Sequence, residues 1–164
     1  MHAQRIGFLG AGNMAGALIK GLLGSGKVAK DALIASDVRE ERLADLAKEY
    51  GIRTTQDNAA LMAECSVIVL SVKPQVVDRV LVAHGGALRP DALLVSIAAG
   101  VSIDAMESRL PAGARVVRTM PNTAAIALAG ATGIAGGTHA TPADIALSKQ
   151  LFEALLTRYK QTSG

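Results

Sequence analysis

The sequence predicts an α/β fold built on a doubly wound parallel sheet in a single domain. Short aliphatic runs alternate with longer amphipathic segments along the 164 residues, as in repeated strand–helix–strand units. The aliphatic runs are continuous, which is typical of parallel strands covered by helices on both faces. Since 50% of the residues are hydrophobic and only 2% are aromatic, the core must consist of small aliphatic side chains that pack helices closely on a sheet.

Five aliphatic runs are predicted to be strands: residues 5–9, 32–36, 67–71, 93–97 and 115–120. Weaker runs near Ile52 and Ile134 indicate two further strands. The segment 121–137 has the least regular pattern, and we expect it to form a loop followed by a short strand. Cys65 lies just before the third run and is predicted to be a small core residue rather than a nucleophile, because free cysteine is among the most buried residue types.

The helices between these runs carry end signals. The segment 40–50 is followed by Gly51, which can adopt the left-handed conformation that ends many helices. Ser102 precedes the segment 103–110 as a predicted N-cap, and Pro111 prevents its continuation.

The last helix is predicted to begin at Thr141 and Pro142, with a capping side chain followed by a first-turn proline. We expect its apolar residues to be exposed and able to drive association; they include Ile145, Leu151 and Phe152. The domain is assigned to residues 1–155, and residues 156–164 form a polar tail that indicates a truncated or divergent end.

Composition argues against several classes of partner. The formal charge is +3, but the chain has no run of Lys and Arg and few aromatic residues to stack on bases, so we expect no nucleic-acid partner. No segment approaches the roughly 18 unbroken apolar residues of a membrane span. We therefore expect a cytoplasmic protein without a membrane partner, and we predict no metal site. His84 and His139 lie outside every motif and are expected at the surface.

A glycine-rich motif follows the first predicted strand. Residues 10–15 read GAGNMA, a G-x-G-x-x-A pattern in which Gly10 permits a tight turn, Gly12 lets a diphosphate approach the backbone and Ala15 lets the helix pack on the strand. Free N–H groups and the helix dipole favour phosphate there. Alone, the pattern could be a turn that binds nothing; its position in a strand–helix–strand unit favours a Rossmann-type dinucleotide site.

The second predicted strand leads into residues that bear on the choice of cofactor. Counted from Gly12, Asp37 lies near the spacing of roughly 20 residues at which an acid accepts hydrogen bonds from the ribose hydroxyls of the cofactor. An acid at this position favours NADH. Arg39 could instead bind the 2′-phosphate of NADPH together with Ser36, or it could be a solvated residue of the next helix. The choice between NADPH and NADH stays open at this point.

Three more motifs follow later strands. They are SVKPQ at 71–75, VSIAAGV at 95–101 and RTMPNT at 118–123. Together with GFLGAGNM at 7–14, and in this order, they resemble the pyrroline-5-carboxylate reductases, the enzymes of the last step of proline synthesis. The resemblance runs from about residue 5 to about residue 155.

The resemblance implies an oxidoreductase that binds NADPH or NADH and passes hydride to the C=N carbon of a small cyclic imine, giving proline. It assigns cofactor-binding residues to each loop after a strand. They are Gly10, Ala11, Gly12, Asn13 and Met14 at the diphosphate; Ser36, Asp37, Arg39 and Asn58 at the adenosine ribose or its phosphate; Ser71, Val72, Lys73, Pro74, Ile97, Ala98 and Ala99 along the cleft walls; and Met120, Pro121 and Asn122 toward the nicotinamide.

Purely structural roles compete with some of these assignments. Lys73 could be an exposed strand-end residue, Pro74 could only stop the strand, residues 98–100 could form a tight turn, and Asn122 could cap a local loop.

The sequence departs from the family at its end. The resemblance implies a helical C-terminal dimerisation domain with a Gly-Ser-Gly-Pro-Ala-Tyr segment that holds the substrate, and the sequence has no such segment. We therefore assign no catalytic residue and expect no turnover by this chain alone. Two alternatives stay open: a reductase of the same architecture that acts on a β-hydroxyacid, and a non-catalytic module that senses NAD(P)H.

Overall fold

The computed structural model describes residues 4–120 and 133–163, and the side chains of 4–119 and 133–153. The strands in this part are β1 (Ile6–Leu9), β2 (Leu33–Ser36), β3 (Arg53–Thr55), β4 (Val67–Leu70), β5 (Leu93–Ser96), β6 (Arg115–Met120) and β7 (Gly133–Gly136). The helices are α1 (Asn13–Gly24), α2 (Glu40–Tyr50), α3 (Asn58–Glu64), α4 (Pro74–His84), α5 (Ile103–Glu107) and α6 (Pro142–Ser163), with 3-10 turns at Lys30–Ala32 and Gly85–Ala87.

The strands form one sheet in the order β3-β2-β1-β4-β5-β6-β7. β1 to β6 are parallel, and β7 pairs with β6 in the antiparallel direction. The predicted doubly wound α/β fold is thereby confirmed, including the two weaker strands. The chain moves outward on one side from β1 to β3 and then crosses back to β4. The switch point of this fold, where such sheets bind ligands, therefore lies between the carboxyl ends of β1 and β4.

Two hydrophobic clusters cover the two faces of the sheet. Residues of α1, α2 and α6 pack with Ile6 and Phe8 on one face, whereas residues of α3, α4 and α5 pack with Leu9 on the other. All four residues of each of β1, β2, β4 and β5 are buried. This two-sided burial explains why the sequence of these strands is continuously aliphatic.

Cys65 belongs to the second cluster, as predicted. Its side chain is fully buried, and burial raises the pKa of the thiol to about 11. A thiol that stays protonated at neutral pH is a poor nucleophile, so the core role of Cys65 is confirmed.

The helix ends agree with most of the capping signals. Gly51 adopts the left-handed conformation with φ +69°, and the Ser102 hydroxyl accepts a hydrogen bond of 3.1 Å from the Ala105 N–H. α5 ends at Glu107 rather than at the predicted residue 110, because the backbone then tightens: the Arg109 N–H donates to the Met106 carbonyl three residues earlier. Tight bonds of this kind are common where a helix ends.

The expected exposure of the last helix is wrong. Leu151 and Phe152 are 1% and 4% exposed, and Ile145 is partly buried against the same core. The reason is tertiary: α6 lies against α1 and covers the face of the sheet that α1 alone leaves open. The helix backbone continues past residue 155 to Ser163.

α6 begins with a reciprocal cap. The Asp144 N–H donates to the Thr141 hydroxyl over 3.2 Å, and the Thr141 N–H donates to the Asp144 carboxylate over 2.9 Å. Arg115 of β6 adds an ion pair of 2.9 Å to the buried Asp144. The predicted start of this helix is confirmed, with an acidic partner that satisfies a second backbone donor.

Within residues 4–120 and 133–163, the helices are too short or too polar for a membrane crossing. The same part of the chain contains no group of three or more His, Cys, Asp or Glu side chains that could hold a metal ion.

Candidate functional site

The loops after four strands lie at one edge of the sheet. In the strand register, Leu9 pairs with both Ser36 and Leu70, and Leu70 pairs with Ser96. These residues end β1, β2, β4 and β5, so the strands stop level with one another. The loops that follow, which carry most of the predicted cofactor residues, are thereby brought together at the carboxyl edge.

The turn after β1 requires glycine at its first position. Gly10 has a φ of +100°, and a Cβ atom there would lie 2.8 Å from the Val72 backbone nitrogen. The Ser71 hydroxyl donates to the Gly10 carbonyl over 2.7 Å and to the Leu9 carbonyl over 3.0 Å. The tight turn predicted for Gly10 is present, and its tightness comes from the β4 loop packed against it.

Both N–H groups that open this loop are already used inside the protein. The Gly10 N–H donates to the Ser36 carbonyl over 3.0 Å, and the Ala11 N–H donates to the Asp37 carboxylate over 2.9 Å. The loop is therefore anchored to the β2 strand and to its C-terminal acid before any ligand binds.

Gly12 presents the open part of the loop. It is the N-cap of α1 and makes no side-chain cap, and no heavy atom lies within 4 Å of a Cβ built on it. Its N–H group donates to no acceptor in the part of the chain that the structure describes. α1 has no acidic residue in its first turn, so its positive end can accept an anion.

The first turn of α1 packs against the sheet through Ala15. Asn13 is exposed and Met14 is half-buried, whereas Ala15 is buried against the sheet. A small residue at this position lets the helix approach the strand, as the motif predicts.

Asp37 and Arg39 form a close ion pair beside the loop. The Arg39 Nε and Nη2 atoms donate to the two Asp37 oxygens over 2.9 Å and 3.0 Å. This guanidinium, helped by the N–H groups of Arg39 and Ala11 and opposed by burial, holds the pKa of Asp37 well below its usual range. The Asp37 side chain is 9% exposed and that of Arg39 is 56% exposed, so Arg39 is the partner that a ligand would meet first.

This pair predicts a pH dependence of stability. Because the pKa of Asp37 is lower in the folded than in the unfolded chain, the ionised carboxylate stabilises the fold at neutral pH, and this contribution is lost as the pH falls below about 4. Asp37→Asn removes the titrating group. We expect the wild type to exceed this variant in unfolding free energy by about 1 kcal/mol at neutral pH, and the difference to shrink in acid.

Urea denaturation of both proteins at pH 7 and in steps down to about pH 3 measures the difference. Asp45→Asn, which removes an exposed carboxylate from α2, serves as the control. A difference between wild type and Asp37→Asn that stays constant or grows as the pH falls would contradict this account of the pair.

Ser36 and Asn58 meet behind the ion pair. Ser36 is 1% exposed, and its hydroxyl donates to the Asn58 amide oxygen over 2.6 Å. The structure therefore places Asn58, at the start of α3, beside the end of β2. In this arrangement Ser36 reaches the site through Asn58 rather than with its own hydroxyl.

The residues predicted to line the cofactor cleft lie in the β4 and β5 loops. Ser71 and Val72 are half-buried, and Lys73 and Pro74 are exposed. Pro74 is the first residue of α4, a position at which its missing N–H costs nothing, so it starts a helix rather than only stopping a strand. In the β5 loop the wall residues are half-buried, buried and exposed in turn; they are Ile97, Ala98 and Ala99.

The predicted nicotinamide segment is only partly described. Met120 ends β6, at the same sheet edge as the other loops, and Thr119 ties β6 to β5 through a 3.0 Å hydrogen bond to the Ser96 carbonyl. Pro121 and Asn122 lie outside the described residues. Of the two histidines expected at the surface, His139 is exposed, as predicted, and His84 is half-buried at the end of α4.

Sequence reasoning missed two residues at this edge. Arg42, in the first turn of α2, donates to the Ala11 carbonyl over 2.6 Å and to the Gly12 carbonyl over 3.4 Å. Val38 is 88% exposed, and its carbonyl accepts a hydrogen bond from Gln56. The apolar Val38 between the charged residues Asp37 and Arg39 is a feature of the sequence that could have drawn attention to this loop. Nothing in the spacing of Arg42 points to the glycine loop.

Comparison with known proteins identifies a protein family that matches this chain. The family described as "NADP oxidoreductase coenzyme F420-dependent" matches residues 5–100. A pyrroline-5-carboxylate reductase of Methanosarcina acetivorans is 43% identical over 157 residues, which are 96% of this chain and 58% of that protein. The chain therefore spans a little more than half the length of this relative.

Solved structures of pyrroline-5-carboxylate reductases also match the chain. A pyrroline-5-carboxylate reductase from Coxiella burnetii matches with a TM-score of 0.84 at 29% identity, over 94% of this chain and 57% of that one. The Plasmodium falciparum enzyme, solved with NADP bound, matches with a TM-score of 0.77 at 25% identity, over 94% of this chain and 56% of that one. The resemblance predicted from the four motifs is confirmed.

Proposed function

Since the chain belongs to the family of NADP oxidoreductases described as coenzyme F420-dependent, we propose that it is the dinucleotide-binding part of a pyrroline-5-carboxylate reductase. In this proposal it binds NADPH or NADH for the reduction of 1-pyrroline-5-carboxylate to L-proline in the cytoplasm. The observation that carries the proposal is the open backbone cradle at Gly12, at the positive end of α1 and at the switch point of the sheet.

The residues of this edge fit a dinucleotide. The free N–H of Gly12 and the first turn of α1 would hold the diphosphate, because both offer unpaired donors and positive potential. Asp37 and Arg39 would hold the adenosine ribose or its 2′-phosphate, and the wall residues after β4 and β5 would flank the rest of the cofactor. When bound, the cofactor supplies the hydride, and the protein supplies binding and orientation.

The choice between the two cofactors rests on one ion pair. The Asp37 charge is already compensated by Arg39 and by the Ala11 N–H, so its repulsion of a 2′-phosphate is reduced. Arg39 is more than half exposed and could turn its guanidinium toward that phosphate. Asp37 could equally accept the ribose hydroxyls of NADH, and the proposal therefore covers both cofactors.

Substrate binding and assembly complete the proposal. In a relative that shares 43% identity with the chain, the matched region is only 58% of the length, and we place the imine-binding residues and the dimer contacts in the further length of such a protein. The residues described here would bind and orient the cofactor. Positioning of the imine against it, which supplies much of the rate enhancement in such reactions, would fall to the additional part.

Isothermal titration of this chain with NADPH and NADH in parallel tests the cofactor site. We expect saturable binding of at least one, and Arg39→Ala is expected to weaken NADPH about tenfold, the loss of one charge-assisted contact, with NADH changed much less. Negligible heats for both cofactors would overturn the proposal.

The substrate is tested with a fusion. Joining the chain to the C-terminal part of the Methanosarcina relative, and following NADPH oxidation with pyrroline-5-carboxylate and NADP+ reduction with a panel of β-hydroxyacids, separates the candidate reactions. Oxidation that depends on the imine supports the proposal. Oxidoreductase activity with the hydroxyacids alone, or tight cofactor binding without any activity in the fusion, would contradict it.

A further inference from the structure

We propose that Arg42 is a positioning residue that sets the direction of the phosphate-binding N–H at Gly12. The inference rests on the proposed function, since it concerns the same diphosphate site. Arg42 is half-buried in the first turn of α2, and its Nε and Nη2 atoms donate to the carbonyls of Ala11 and Gly12. It therefore holds the loop from the side opposite to the open cradle.

The effect follows from the geometry of the peptide unit. In a planar trans peptide, the carbonyl of one residue and the N–H of the next point in opposite directions. When Arg42 binds the Ala11 carbonyl at 2.6 Å, it holds the Gly12 N–H of the same unit pointing away from α2. The direction of the donor is therefore determined by a side chain bound to the opposite end of the same peptide unit.

The three peptide units of the loop are held in different ways. The Leu9–Gly10 and Gly10–Ala11 units are fixed at both ends, by Ser71 on their carbonyls and by Ser36 and Asp37 on their N–H groups. The Ala11–Gly12 unit is fixed only at its carbonyl, by Arg42. Arg42 is thus the described anchor of the one unit whose N–H stays available, and without it this glycine-flanked unit could rotate.

Gly16 makes the space for this contact. A Cβ atom at Gly16 would lie 2.7 Å from the Arg42 Nη2 atom, so the absence of a side chain on α1 lets the guanidinium reach the two carbonyls. Gly16→Ala is therefore a second way to move the guanidinium, and it keeps the positive charge in place. This separates the positioning role from a simple charge effect on an anionic ligand.

The test compares Arg42→Met, Gly16→Ala and the control Lys48→Met, which removes an exposed positive charge from the same helix. The probes are NADPH, which contains a diphosphate, and adenosine 2′-monophosphate, which does not. We expect Arg42→Met to weaken NADPH about tenfold, the effect of losing one well-aligned hydrogen bond to phosphate. Gly16→Ala is expected to weaken it severalfold, and the affinity for adenosine 2′-monophosphate and the affinities of Lys48→Met should change less than twofold.

If Arg42 had a merely structural role, Arg42→Met would lower thermal stability and weaken the affinity for both probes alike, and this result would overturn the inference. Unchanged NADPH binding in Arg42→Met would overturn it as well. If the wild type binds neither NADPH nor NADH, the proposed function fails, and the direction of the Gly12 N–H can still be measured without ligand. The residual dipolar coupling of the Gly12 N–H, measured by NMR without ligand, should differ from the wild-type value in Arg42→Met and in Gly16→Ala and should stay unchanged in Lys48→Met. An unchanged coupling in Arg42→Met would also overturn it.

Discussion

Replacement of Gly12 by valine is expected to weaken NADPH binding about 100-fold or more and to leave the fold intact. A Cβ at this position would meet no atom of the protein within 4 Å, and the backbone of Gly12, with φ −76° and ψ −168°, is extended and suits valine. The two methyl groups would occupy the space over the N–H where we place the diphosphate. The expected loss combines a charge-assisted hydrogen bond with a steric clash.

Isothermal titration with NADPH and a thermal melt of the same sample measure the two effects. Valine is a poorer N-cap than glycine, so a stability cost of up to about 1 kcal/mol is expected. Gly24→Val is the matched control, because Gly24 lies at the other end of α1, is exposed and also has open space around its Cβ position. NADPH binding that survives in Gly12→Val would place the diphosphate elsewhere.

Gly10→Ala is expected to have the opposite profile, with a loss of about 2–4 kcal/mol in unfolding free energy. The φ of +100° is one that alanine rarely adopts, and the new Cβ would lie 2.8 Å from the Val72 nitrogen and 2.9 Å from the Ser71 carbonyl carbon and oxygen. These are backbone atoms of the β4 loop, so they cannot rotate away. The substitution forces apart the loops that follow β1 and β4.

Urea denaturation of Gly10→Ala and of Gly26→Ala divides this loss into its two causes. Gly26 also has a positive φ, +72°, but open space around its Cβ position, so Gly26→Ala reports the backbone cost alone, about 1–2 kcal/mol. If both substitutions cost the same, the close approach of the β4 loop to Gly10 has no energetic consequence, and the account of the turn is wrong.

The residues whose structural roles at this edge were predicted correctly share one property: their roles depend on neighbours along the chain. A glycine after an aliphatic run and before an apolar helix has its task set by the local backbone path, and this holds for Gly10, Gly12 and Ala15. Strands buried on both faces have unbroken aliphatic runs in the sequence. This is why the ends of the five main strands were predicted correctly to about one residue.

The prediction that was wrong, and the contacts that were not predicted, depend on the packing of segments that are distant in the sequence. Leu151 and Phe152 look like an exposed apolar face when α6 is considered alone, and only its packing on α1 shows that this face completes the core. Arg42 resembles any charged residue of a surface helix until the fold brings it to the Ala11 carbonyl. The Ser36 hydroxyl looks available until Asn58 is found beside it.

The sequence by itself determined the type of fold, the residues at which the strands end and the location of the glycine-rich loop, because these follow from hydrophobic periodicity and from the conformational freedom of glycine, both of which are local. Only the tertiary structure decided which N–H of the loop is left free, how Asp37 and Arg39 neutralise each other and which face of the last helix is buried. Hydrogen bonds and apolar contacts between residues far apart in the chain depend on three-dimensional distance, and no spacing along the chain encodes that distance directly.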